Sequence, residues 1–403
     1  MKQIYLCFLA MVTSIFIFGC SSNLEDTPII EYATTNSENS QTSINLDEAI
    51  NIANKVLKKD ITRSLSALPT CNYVVKDSKT RSLSSSDTLA YVLNYPNEEG
   101  FAIISSTKNV YPVLAFSDKG SFSFDNEIAK INFIDKIDNY IASADPDDAF
   151  EVKDEDFFSC VSIEPIVKFS LGQRSPWDKY VIEEHPGCPA GCVAVATAFV
   201  MLHSKSELTY HDTVYDLESI VKAIGLVKNP DYSETDEYPN LQPIYSYDEA
   251  VDRVAKILYW IGYDINMHYD KKGSSATSLK AMELCKSLGF QISSDRKKFN
   301  IEEIAQYINN GYIIYMDGTD YNQWVGHAWV ADGCYYCYTD IQNHSGVMNP
   351  YIHFDWGWNG SCNGYYSGEV FSASSYTFNA GYYFAVKREN QPYNIKPPVI
   401  VRP

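Results

Sequence analysis

Basic residues are scarce in this chain. Across 403 residues, 32 Lys and Arg face 51 Asp and Glu, for a net charge of −19. A nucleic-acid partner needs a pool of cations to neutralise phosphates, and this composition does not supply one. The same deficit disfavours electrostatic docking on an anionic membrane, so the charge reads as a solubility feature. Apolar runs of spanning length are missing after the N-terminus. No internal repeat is present, and cysteine is too sparse for a disulfide-framework protein. A composition of 45% hydrophobic and 21% charged residues excludes a disordered or collagen-like chain. Aromatics are what the chain has in excess, at 14%. The length sets a prior of two or three domains.

The N-terminus reads as an export signal over residues 1–19: a short basic start, an apolar run from Ile4 to Phe18, then small residues. Ile17-Phe18-Gly19-Cys20 resembles a bacterial lipobox, which implies a lipid on Cys20. Phe18 is bulkier than the usual residue there, so cleavage without a lipid is the alternative. Glu25 and Asp26 resemble the surface-export signal of Bacteroidetes-type lipoproteins. The expected location is therefore the outer membrane, cell surface or periplasm, with a lipid as the only membrane anchor.

Residues 20–44 read as a polar tether. A helix follows, with Asn45 as its cap and Glu48 completing a capping box. The Ser-rich residues 62–88, with Arg63 and Arg81, read as a mobile connection. Strand-like runs at Leu89–Tyr95, Phe101–Ser106 and Val110–Phe116 predict an antiparallel meander, and Glu127–Ala142 a helix. Residues 45–144 thus form a small α+β unit. Seven acids against one Lys in Asp145–Asp156 mark a boundary, with a linker over 145–162. The larger unit, 163–390, is helical from Cys192 to about Leu288. From Gly311 to Val386 it is rich in aromatic and β-branched residues and reads as sheet. Residues 391–403 are a Pro-containing tail.

The chemistry starts at Gly191-Cys192, which opens a small apolar run that only a buried helix accommodates. A thiol in the first turn of a helix is expected to have a lowered pKa and to be nucleophilic. A buried structural Cys is the plainer alternative. His327 lies on an alternating strand 135 residues later and is a candidate base. A lone strand histidine is more often a core residue, but the other six histidines lack comparable context. In His353-Phe354-Asp355-Trp356, Asp355 is expected to accept the His327 Nδ1–H bond, with Trp356 shielding it. Gln173 precedes Cys192 by nineteen residues; its side-chain amide and the Cys192 N–H are candidates for an oxyanion hole.

Gln173, Gly191-Cys192-Val193-Ala194, Gly326-His327-Ala328 and Trp356-Gly357-Trp358, in that order, resemble the streptopain family of papain-like cysteine peptidases. The N-terminal unit is similar to that family's propeptide, notably at Gly100–Ser105 and Tyr111–Leu114. The resemblance implies a two-lobe α+β catalytic domain, one lobe helical and one barrel-like sheet, behind a small α+β propeptide. It implies an endopeptidase made as a zymogen, with protein substrates and its own propeptide as intramolecular inhibitor, and without a cofactor or metal. Ser275, in Gly273-Ser274-Ser275, and Gly326 would line the substrate cleft. Asp355 departs from the family's more usual Asn. Maturation is expected in or just after the acidic segment, with the pairs Arg63-Ser64 and Arg81-Ser82 as earlier cuts.

Rival readings differ in class. Cys334 and Cys337, with Cys188 and Cys192, suggest a zinc site, but the first pair lacks the turn chemistry of a knuckle. Cys188 is also a candidate resolving thiol for Cys192. A non-catalytic surface lipoprotein, an inactive relative or a glycan- or protein-binding module, would use the aromatic faces. It leaves the Gln–Cys–His order unexplained. A different Cys–His enzyme would share that geometry without reason to carry this propeptide.

Overall fold

The computed structural model describes residues 42–58, 68–76, 88–124, 133–150, 160–228, 244–292, 296–320, 325–340, 345–373 and 378–387. The export signal, Cys20, nearly all of the tether, Arg63, Arg81, half of the linker (151–159) and the tail lie outside them. Among the described residues no helix is long and apolar enough to cross a membrane.

The N-terminal elements are α1 (Leu46–Val56), β1 (Thr70–Val75), β2 (Thr88–Asn94), β3 (Phe101–Ser105), β4 (Val113–Ser117) and α2 (Ile137–Ala142). Asn45 caps α1, its Oδ1 accepting the Glu48 amide at 2.9 Å. The reciprocal half of the expected box is replaced by a Glu48–Lys108 ion pair at 2.8 Å. The expected meander has a fourth strand: β1 falls inside the segment read as a mobile connection. Its aromatic and β-branched residues pair with β2 along an outer edge of the sheet, where half-exposed strands such as this carry little hydrophobic signal.

The larger unit runs β5 (Cys160–Ile163), α3 (Lys179–Glu184), α4 (Cys192–Ser204), β6 (Glu207–Tyr210), β7 (Thr213–Asp216), α5 (Leu217–Lys228), α6 (Tyr247–Asp264) and α7 (Ser278–Ser287). It continues through β8 (Gln291–Ile292), β9 (Lys297–Lys298), α8 (Ile301–Asn309), β10 (Tyr312–Asp320), β11 (Val325–Asp340), β12 (Ser345–Asp355), β13 (Gly364–Ser367), α9 (Gly368–Ala373) and β14 (Phe378–Lys387). Helix α4 is apolar all round and so can only be central; every residue after Cys192 is buried. Helix α6 starts on a complete Ser246/Glu249 capping box.

One antiparallel sheet runs through both units in the order β1-β2-β3-β4-β13-β12-β11-β10-β14-β8, with β5 on β11 and β9 on β14. The join is β4 against β13, Phe116 opposite Tyr365 and Ala115 opposite Tyr366. On one face, Ile313, Tyr315, Ala328 and Val330 pack against the helical lobe. On the other, Ile314, Met316, Trp329 and Ala331 share a core with Phe101 and Ile103 of the N-terminal unit. Alternation along β10 and β11 therefore decides which side chains meet α4.

Candidate active site

Cys192 is the first residue of α4, and the loop before it is clamped on both sides. The Ala190 amide donates to the Gln173 carbonyl at 2.8 Å. The Ser274 hydroxyl donates to the Pro189 carbonyl at 2.7 Å. Gly191 has φ of 93°, and a Cβ there would lie 2.9 Å from Met267 Cε, so only glycine fits this turn. Backbone N–H groups of Ala328, Val193 and Cys192 itself point to the sulfur and lower its pKa. Burial outweighs them and pushes the thiol up. The thiol lowered by its helix terminus, expected from sequence, is thus corrected: desolvation wins in this state.

His327 lies on β11 opposite Gly318 of β10 and is 3% exposed. Its Nε2 is 3.0 Å from the Trp356 carbonyl oxygen. A carbonyl only accepts, so Nε2 carries the proton and Nδ1 keeps a lone pair. That Nδ1 is buried without a hydrogen-bond partner among the described residues. Burial lowers the imidazole pKa to about 4. The ring stacks on Trp358 at 4.8 Å and lies parallel to Trp329 at 5.9 Å. The Ala328 amide meets the Cys192 sulfur, so the first residue of α4 sits against β11 at the position next to His327.

Asp355 has a different role from the one expected. It does not accept from Nδ1, which carries no proton; its Oδ1 accepts the Gly357 amide at 2.9 Å. The Asn363 side chain also bonds it, while the Asn363 Oδ1 accepts the Trp356 amide at 3.2 Å. Burial, aided by the charge of Asp332, raises its pKa to about 7. Asp332 is itself held by His353 Nδ1 at 2.6 Å. Asp355 therefore shapes the turn that presents the Trp356 carbonyl to His327. Trp356 contributes that oxygen as well as its fully buried indole.

Gln173 is half-buried and anchored to the nucleophile loop through its carbonyl. Its segment is tied to the Trp356 loop by Asn359, whose amide donates to the Leu171 carbonyl at 2.8 Å. Asn359 Oδ1 also accepts from Trp177 Nε1 at 2.6 Å. Ser275 is exposed and exchanges two 2.9 Å backbone bonds with His268. Gly326 is exposed just before His327. The structure thus brings Gln173, Cys192, His327, Asp355 and Trp356 to neighbouring loops and strand ends.

Sequence reasoning missed Trp329 and the orienting carbonyl. Trp329 was reachable, because alternation puts residue i+2 of a strand on the histidine's face. Cys334 and Cys337 share the extended strand β11, about 10 Å apart. Among the described residues no three His, Cys, Asp or Glu side chains gather as a ligand set.

Residues 171–366 match the model of the Peptidase C10 family. Residues 40–141 match that of the Spi protease inhibitor. A solved fragment of Prevotella intermedia prointerpain A is similar with a TM-score of 0.48 and 19% identity, covering 80% of this chain and 100% of that one. The active wild-type Prevotella intermedia interpain A cysteine protease gives a TM-score of 0.34 and 18% identity, over 59% of this chain and 98% of that one. No curated protein matches the chain.

Proposed function

This chain belongs to the Peptidase C10 family and is a cysteine protease zymogen with a propeptide inhibitor domain; on that premise we propose that Cys192 and His327 are its thiol–imidazole couple. The observation that carries this reading is the tautomer of His327. Its Nε2–H is committed to Trp356, which leaves Nδ1 as the base.

Cys192 passes its thiol proton to Nδ1, and the thiolate attacks the peptide carbonyl carbon. The oxyanion is held by the Cys192 N–H and the Gln173 side-chain amide. The imidazolium returns the proton to the leaving amine, and a thioester forms. His327 then activates water, which releases the acid and restores the thiol. The Trp356 carbonyl and the Trp358 face both favour the imidazolium that forms in between. Asp355 keeps that carbonyl aimed, and Ser275 and Gly326 flank the substrate path.

In the zymogen the couple is held neutral, since burial raises the thiol and lowers the imidazole. The propeptide reaches the same region by continuing the sheet through β4 and β13. Tyr351 donates to the Val113 carbonyl at 2.7 Å, and Tyr140 to Glu369 at 2.5 Å. The Ser123 amide meets Cys362 Sγ at 3.4 Å, one residue from the Asn363 that braces the Trp356 turn. Cutting the chain after the propeptide frees the enzyme. A lipid on Cys20 would leave the propeptide on a bacterial outer surface while the peptidase departs.

The test is alkylation of Cys192 by iodoacetamide against pH, in zymogen, processed enzyme and processed His327→Ala. The processed enzyme should react rapidly at pH 6, and the zymogen slowly. The histidine variant should need pH above about 8, as an ordinary thiol does. Coincident profiles for processed enzyme and histidine variant would sink the couple.

A further inference from the structure

The loop after Trp356 folds into an Asn-Gly turn. Asn359 and Gly360 have φ of 56° and 87°, and the Ser361 amide closes the turn on the Trp358 carbonyl at 3.1 Å. Positive φ at both central residues makes this a type I′ turn, for which Asn-Gly is a preferred pair. The tip of the turn lies on the loop 171–177, which carries Gln173. The Asn359 amide donates to the Leu171 carbonyl at 2.8 Å. Its Oδ1 accepts the indole N–H of the buried Trp177 at 2.6 Å. Gly172 supplies the seat, because a Cβ there would lie 2.6 Å from Asn359 Nδ2.

Gln173 therefore sits between two points gripped by one residue. Its own carbonyl is held from the other side by the Ala190 amide at 2.8 Å, on the loop that leads into Cys192. Asn359 also follows Trp358, whose ring stacks on His327 at 4.8 Å. The turn thus joins the segment of the oxyanion donor to the aromatic wall of the base. Asn359 itself is exposed. One hydrogen bond at such a residue adds little to global stability. A displacement of about 1 Å at a catalytic group costs roughly a hundredfold in rate. The magnitudes favour a role in the reaction over a role in folding.

We propose that Asn359 is a positioning residue for the oxyanion hole: by holding Leu171 and Trp177 it fixes the segment from which Gln173 presents its side-chain amide. The proposal rests on the reading of Cys192 as nucleophile and Gln173 as oxyanion donor. Loss of the Asn359 oxygen releases the Trp177 indole and lets that segment shift. The hydrogen bond that weakens is the one that strengthens as charge builds on the carbonyl oxygen. That charge exists only once attack is under way, so the loss falls on kcat and leaves KM nearly unchanged.

Processed wild type, Asn359→Gly, Asn359→Asp, Gln173→Ala and the double variant Gln173→Ala/Asn359→Gly should be compared on one fluorogenic peptide amide, beside the rate of Cys192 alkylation by iodoacetamide. Glycine keeps the positive φ and removes only the side chain, while aspartate keeps the acceptor. Asn359→Gly should lose roughly tenfold in kcat, and Asn359→Asp should recover most of it. Gln173→Ala should lose about a hundredfold, and the double variant no more than that. Alkylation displaces iodide at a saturated carbon and builds no oxyanion, so its rate should be unchanged in Asn359→Gly. Trp177→Phe removes the donor from the other side and should show the same selective loss, a readout that stands if Asn359→Gly does not fold. Unchanged kcat, equal losses in Asn359→Gly and Asn359→Asp, alkylation slowed as much as hydrolysis, or losses that add in the double variant would overturn this assignment alone. Gln173→Ala as active as wild type would overturn the oxyanion reading and this one with it. No hydrolysis by wild type, with Cys192 intact, would overturn the nucleophile reading as well.

Discussion

The carboxylate of Asp355 takes the amide of Gly357 at 2.9 Å, and through that turn it sets the carbonyl that His327 Nε2 meets at 3.0 Å. Orientation of the imidazole is thus delegated to the main chain. The acid acts one step away from the base.

That arrangement predicts graded effects at Asp355. Asp355→Asn keeps an oxygen for the Gly357 amide, so kcat/KM should stay within about tenfold of wild type. Asp355→Ala removes the brace, and misplacement of the Trp356 carbonyl should cost about a hundredfold or more. Steady-state kinetics with folding checked by circular dichroism decides. Equal losses in both variants would mean that the charge itself, not the turn, matters.

Asp355 also marks the stability–pH profile. Its pKa is about 7 folded, against about 3.9 unfolded, so between these values the folded chain holds the extra proton. Its contribution to stability is present at low pH and lost as pH rises through that window. His327, at about 4 folded and about 6.5 unfolded, slopes the other way below 6.5. The stability advantage of Asp355→Asn over wild type should therefore grow from pH 4 to pH 7, by at most ~4 kcal/mol, then level off. Denaturant titrations of the two proteins at each pH cancel the common histidine contribution. A difference independent of pH would contradict the buried, raised carboxyl.

Gly191→Ala should damage both stability and activity. The substitution strains a φ of 93° and drives a methyl into Met267. Destabilisation of about 1–3 kcal/mol is expected. Met267→Ala in the same chain should restore only part of it, because the backbone strain persists. Full rescue in thermal melts would assign the whole effect to the side-chain clash.

Much of the site was legible in the sequence because its chemistry is local. Gly191-Cys192 before an apolar run announces a buried helix, and alternation around His327 announces a strand. Asp355 was misassigned because a carboxylate two residues before a glycine forms a turn whose direction no spacing reveals. The thiol was expected low because a helix terminus is visible in sequence, while the burial that outweighs it is not. The β4–β13 ladder joins segments far apart in the chain, and strand propensity alone names no partner. The Arg296–Asp317 pair depends on the registers of β9 on β14 and of β14 on β10, which only the folded sheet supplies.

The ladder gives a prediction for latency. Tyr351→Phe removes the hydroxyl that donates to Val113, from the catalytic side of the contact, and leaves a buried carbonyl short of a partner. A loss of about 1–2 kcal/mol in propeptide docking is expected. Limited proteolysis should release active enzyme from this zymogen roughly tenfold faster. An unchanged activation rate would show that the interface does not limit release.

The most direct test of the central claim is self-processing and casein hydrolysis by the purified chain under reducing conditions, beside Cys192→Ala and His327→Ala, read by intact mass and peptide release. The account predicts loss of the N-terminal unit and casein cleavage in wild type, aided by trypsin traces if activation needs an outside cut, and neither casein cleavage nor self-processing in the folded variants. Casein hydrolysis retained by either variant would contradict it.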